Sequence, residues 1–124
     1  MRKNNTMNFS EKLAETLKDN PDPDAKVMWH LIQHGSDLAK EHEPDFSFSA
    51  SREKDAQDIA KELSGMTLKV TIYGPNKENP GFEVVGVKKM KLDLPTMQNL
   101  SKKFEEIANS YNGEYLGWGT EIVE

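Results

Sequence analysis

The sequence predicts an α+β domain in which two helices lie across one face of a four-stranded antiparallel sheet. Three observations predict it. Two segments in the second half of the chain carry apolar residues at helical spacing, each forming a single stripe. Four others alternate apolar with polar residues, as half-buried strands do. Over about residues 45–124 these segments follow the order β-α-β-β-α-β, the split βαβ plan, expected here with strand order 4-1-3-2. One apolar stripe per helix and one apolar row per strand can all be buried in this arrangement. The length of 124 residues is that of one domain.

Two short helices open the chain. The first is expected from about Phe9 to Lys18, with Ser10 as its cap and Leu13 and Leu17 on its apolar side, and the seven residues before it are expected to fray. Asn20-Pro21-Asp22-Pro23 interrupts it, because proline removes a donor and disfavours helix in the residue before it. Asp22 followed by Pro23 then starts a second helix, with a capping carboxylate and proline at the first position. Ala25, Met28, Trp29 and Ile32 share one face, and Gly35 ends the helix. A linker, Ser36 to Asp45, carries Asp37, Glu41 and Glu43.

Phe46 and Phe48 alternate with Ser47 and Ser49 in the first strand. Ser51 to Ser64 reads as a helix with Ala56, Ile59, Ala60 and Leu63 inward, stopped by Gly65. Leu68, Val70 and Ile72 mark the second strand, and Gly74 to Gly81 is a turn-rich loop. The third strand starts at Phe82 and is expected to run to about Lys91, with a bulge near Gly86. Met97, Leu100, Phe104, Ile107, Ala108 and Tyr111 define the longest helix, ended by Asn112-Gly113. Leu116, Trp118, Thr120 and Ile122 are expected on one face of the last strand. This plan leaves the far side of the sheet open. The N-terminal helices, a second copy of the chain or a partner are expected to cover part of it.

Several kinds of chemistry are excluded by composition. The chain has no cysteine, which removes disulfides, zinc–thiolate sites, iron–sulfur clusters and thiol catalysis. A net charge of −5 opposes nonspecific binding to phosphate backbones. The third strand, Phe82-Glu83-Val84-Val85-Gly86-Val87, lacks the aromatic platform of an RNA-recognition domain with the same element order, so direct nucleic-acid binding is not expected. Lys88, Lys89 and Lys91 read as edge-strand lysines. No apolar run approaches the roughly 20 residues needed to span a bilayer, and the N-terminus lacks the apolar stretch of a secretory signal, so a cytoplasmic protein is expected.

Candidate catalytic groups are sparse. His30 and His34 stand four apart on a helix, a metal-ligand spacing, but Leu31 holds the place where the zinc-protease motif needs glutamate. They read as histidines at a solvent edge. Acid pairs such as Glu41/Glu43 and Glu105/Glu106 read as surface decoration, because catalysis by a carboxyl group needs a shifted pKa. Gly74 and Gly81 do not lead into a helix, as a phosphate cradle would. Gly117 and Gly119 are expected to leave room for the Trp118 ring. No catalytic residue, metal ligand or cofactor is expected.

Two stretches carry a family resemblance. Gly113-Glu114-Tyr115-Leu116-Gly117-Trp118-Gly119-Thr120-Glu121 resembles the closing strand of the regulator of ribonuclease activity B family, bacterial inhibitors of ribonuclease E. His34-Gly35-Ser36-Asp37-Leu38, followed by Pro44-Asp45-Phe46-Ser47-Phe48, resembles the family's helix end, linker and first strand. The resemblance implies a ferredoxin-like α+β sandwich over residues 22–124, preceded by an extension over 1–21 with a short helix. It also implies a non-catalytic protein that binds a ribonuclease and lowers RNA degradation. Asp37, Glu41, Glu43, Tyr115 and Trp118 are the expected partner contacts. A second copy of the chain is a further partner left open. The alternative is a small-ligand-binding regulatory domain of the amino-acid-sensing type, suggested by the Gly74–Gly81 loop and the open sheet face.

Overall fold

The computed structural model describes residues 8–124, and the expected fraying of the first seven residues lies outside them. The chain forms α1 (Phe9–Leu17), α2 (Pro23–Gln33), β1 (Glu41–His42), β2 (Asp45–Ala50), α3 (Glu53–Gly65), β3 (Lys69–Tyr73), β4 (Phe82–Val87), β5 (Met90–Lys91), α4 (Leu94–Ser110) and β6 (Gly113–Gly119).

The helix starts follow local chemistry. Asp22 caps α2 as expected, its side chain accepting from the Asp24 and Ala25 amides at 3.0 and 3.2 Å, with Pro23 at the first position. At α1 the cap is Asn8, not Ser10. Asn8 and Glu11 exchange side-chain to backbone bonds in a reciprocal capping box. Ser10 is buried instead, and its hydroxyl accepts the Leu38 amide at 3.0 Å, which fastens α1 to the linker.

The fold is α+β with antiparallel sheets. The main sheet has the order β3-β4-β2-β6. It differs from a single expected layer because β1 and β5 pair separately, Glu41 with Lys91 and His42 with Met90. The strand expected to run from Phe82 to Lys91 is therefore two pieces, and part of the expected linker is the second piece's partner. Gly86 is not a bulge, since the β2–β4 register runs through it unbroken. It is a close approach: a Cβ there would meet Leu68 Cδ2 at 2.7 Å and Leu63 Cδ1 at 3.2 Å.

One side of the sheet carries Phe46, Phe48, Val84 and Tyr115 inward against the helices, where α3 packs on β3 and β4, and α4 on β6. The Phe104 ring of α4 stands edge-on to Phe46 at 4.9 Å and to Phe48 at 5.5 Å. Truncating Phe104, which is wholly buried, would cost about 3–5 kcal/mol. The N-terminal helices do not cover the far side. α1 packs on α2, and α2 packs on α4, which places both on the side already occupied. The far side presents Ser47, Ser49, Val85, Val87, Thr71 and Tyr73.

The last strand departs furthest from expectation. A β-bulge between Ser47 and Phe48 pairs Tyr115 with Phe48 and Gly117 with Ser47, leaving Leu116 as the extra residue. Tyr115 and Trp118 therefore face the helices, while Leu116, expected inside with Trp118, is 55 % exposed. Gly117 has φ +112°, a conformation that side-chain-bearing residues rarely adopt, and its Cβ position is open space. Gly119 has only Asp45 Oδ1 near its Cβ position, at 3.8 Å. The glycines thus do not make room for the indole. Gly117 supplies the backbone turn that brings Trp118 inward.

Candidate docking surfaces

The five expected contacts fall into two groups. Asp37, Glu41 and Glu43 lie on the segment between α2 and β2. Tyr115 and Trp118 lie on β6, on the helix side of the sheet.

Glu41 and Glu43, but not Asp37, line a groove of about 720 Å³ together with Asp45, Glu121 and the basic Lys89. Glu41 and Glu43 are exposed, and Asp37 is half-buried. The segment is held in place by the chain's end. The Asp37 amide donates to the Val123 carbonyl at 2.6 Å, the Val123 amide donates to Ser36 Oγ at 3.0 Å, and Lys40 Nζ donates to the Glu124 carbonyl at 2.8 Å. Behind it lies His42, only 1 % exposed. Its Nδ1 is 2.9 Å from the Lys40 carbonyl, which can only accept, so Nδ1 carries the hydrogen. Nε2 then accepts from the Ser36 hydroxyl at 2.6 Å.

A serine donating to a histidine is a nucleophile geometry, but this pair is a latch. Ser36 is buried, also accepts the Val123 amide, and does not line the groove. A backbone carbonyl, not a carboxylate, orients the ring. His30 and His34 are exposed, and His34 Nδ1 is 2.8 Å from the His30 carbonyl, which ties it to the end of its own helix. Among the described residues no group of three or more acids and histidines is placed to hold a metal ion.

The aromatic group borders a second groove, of about 740 Å³, between the first turn of α2, one face of α4 and the β6 bulge. The Trp118 indole packs on the core at one edge and opens to the groove at the other. Its Nε1 donates to Asp24 Oδ1 at 2.8 Å, and Ser101 Oγ donates to the same oxygen at 2.8 Å. Tyr115 is fixed by ring contacts with Phe48 at 5.1 Å and Phe104 at 5.5 Å. Its hydroxyl is buried and has no hydrogen-bond partner among the described residues. Burial pushes the phenol pKa up. The nearby Ser101 hydroxyl works in the opposite direction, and the charges of Asp24 and Glu105 add to the rise.

Ser36, His42, Asp24 and Ser101 were not foreseen as structural anchors. Asp24 lies in the first turn of α2, and its partners are 77 and 94 residues away. The turn-rich Gly74–Pro80 loop is exposed along its length and lines neither large groove.

No helix among the described residues is long and apolar enough to cross a membrane. A model of the family described as regulator of ribonuclease activity B matches residues 22–120. A comparison with curated proteins finds no match.

Proposed function

We propose, from the premise that this chain belongs to the regulator of ribonuclease activity B family, that it is a non-catalytic protein that docks on a ribonuclease and lowers RNA cleavage. The family match over residues 22–120 carries this reading. Residues 22–124 are then the family's ferredoxin-like domain, a reading supported by the antiparallel order β3-β4-β2-β6, and residues 1–21 are an extension of it. The setting is the cytoplasm, where RNA is degraded.

The acidic lip of Glu41 and Glu43, with Asp37 beside it on the same segment, suits a basic, RNA-binding stretch of such an enzyme. Masking that stretch would deny it to RNA without any bond being made or broken. Tyr115, Leu116 and Trp118 offer a second contact of aromatic and apolar character, the kind that dominates interface energy. Ribonuclease E is the enzyme to assay. Purified protein is added in excess to a cleavage reaction on a structured RNA at low and at high salt. Inhibition that weakens with salt is expected. Unchanged cleavage, with no complex on gel filtration, would refute the reading.

A further inference from the structure

The second groove holds a buried charge without a counter-charge. Asp24 is only 6 % exposed, yet the ion pairs among the described residues are Arg52–Asp55 and Lys54–Asp58, neither of which involves it. Trp118 and Ser101 both bond to Oδ1, and Oδ2 receives no hydrogen bond among the described residues. Asp22 and Glu105 line the same groove, so three carboxylates face one lysine, Lys102. Oδ2 is not sealed from solvent, so it is open to a cation that enters the groove.

The walls select among cations. Trp118 and Tyr115 supply aromatic rings, and Leu116 adds an exposed apolar rim. A planar guanidinium stacks on aromatic rings and carries five donors, enough for Asp24 Oδ2 and a rim carboxylate together. A lysine ammonium is a compact, strongly hydrated point charge and matches less of this set.

We propose that this groove is an arginine-binding site, taking the guanidinium of one arginine side chain in an extended basic peptide. The proposal rests on the protein-docking reading for what carries that arginine, and on the groove's own chemistry for the rest.

Calorimetric titration with acetyl-glycyl-arginyl-glycinamide tests the site without any nuclease. The citrulline and lysine versions of the peptide serve as controls. Saturable binding of the arginine peptide is expected, weaker by about tenfold or more when citrulline or lysine replaces arginine. Asp24→Asn keeps an oxygen for Trp118 and Ser101 to donate to, and is expected to lose about tenfold or more in affinity; its melting curve, lowered by the weaker neutral acceptor, shows that it still folds. Glu105→Gln, at an exposed position, is expected to weaken binding in the same direction and guards against an Asp24 variant that fails to fold. Equal affinity for arginine and citrulline peptides, or no saturable heat with any, would overturn the site. The nuclease assay reads separately. Peptide binding without nuclease inhibition leaves the arginine site standing and removes the ribonuclease reading; inhibition undiminished by Asp24→Asn, with no peptide bound, does the reverse.

Discussion

The indole of Trp118 and the carboxylate of Asp24, 94 residues apart, are joined by a 2.8 Å hydrogen bond that closes β6 onto the first turn of α2. It adds to the packing of α2 on α4 that holds the N-terminal helical pair against the rest of the fold. Trp118→Phe keeps a ring in place but removes the donor, and a bond to a charged acceptor contributes about 1.5–3 kcal/mol. Urea denaturation should show a loss of that order. In an Asp24→Ala background the same change should cost much less, because the bond is already gone. Equal costs in both backgrounds would mean that the bond contributes nothing to stability.

Two glycines should fail for different reasons. Gly86→Ala drives a methyl group into Leu68 Cδ2, an overpacking cost of about 1–3 kcal/mol. Shortening Leu68 to valine removes that carbon and should recover part of the loss. Gly117→Ala meets no atom but must hold φ +112°, a strain of about 1–3 kcal/mol that Leu68→Val leaves untouched. Thermal melts of the two pairs separate steric from backbone strain. Rescue of both by Leu68→Val, or of neither, contradicts the assignment.

Ser36 serves two partners at once, His42 Nε2 and the Val123 amide. Ser36→Ala leaves a buried ring nitrogen unsatisfied, at about 1–3 kcal/mol. It also frees the chain end. Amide exchange at Val123 should accelerate more than at any β2 amide. Uniform acceleration across the chain would instead indicate global destabilisation alone.

Tyr115 sets a pH dependence whose sign follows from burial. Its phenol pKa is raised in the folded state above the unfolded value of about 10. The contribution to stability is therefore intact below about pH 10 and is lost as pH rises beyond it, where the unfolded chain sheds the proton first. Tyr115→Phe should flatten that alkaline decline. It should not weaken the protein at neutral pH by the usual cost of a lost hydrogen bond, because the hydroxyl has no partner among the described residues. An unchanged alkaline limb in the variant would place the titration elsewhere.

Most of the main sheet and both of its helices were legible in the sequence, because Phe46/Phe48, Ala56/Ile59/Leu63 and Phe104/Ile107 follow the period of their element and all are buried. The β1–β5 pair was not, since two residues have no period to read. The outward turn of Leu116 was hidden for a related reason. One inserted residue shifts the parity of everything before it, and only the glycine at 117 hints at the shift. Of the five candidate contacts, sequence placed Asp37, Glu41 and Glu43 on a linker and Tyr115 and Trp118 at the closing strand, but none with its neighbours. The join of Asp24, Ser101 and Trp118 is made by tertiary packing between positions with no sequence relation.

The acidic lip yields a prediction about binding that leaves folding alone. The Glu41 and Glu43 side chains are exposed and take part in none of the ion pairs found among the described residues. The Asp37 backbone, not its carboxylate, carries the bond to Val123, while its Oδ1 accepts the Ala39 amide, a bond that asparagine can also accept. Replacing all three with Asn or Gln should therefore leave the melting temperature nearly unchanged. Charges at an interface rim act mainly on the rate of encounter and are screened by salt over about 8–10 Å at physiological ionic strength. The variant should accordingly associate with the nuclease more slowly at low salt, with dissociation little altered, and the two proteins should converge as salt is raised. Stopped-flow or surface-capture kinetics at several salt concentrations measures this. A variant that binds as fast as the parent at low salt would move the docking surface away from the lip and leave the Tyr115–Trp118 groove as the sole candidate contact.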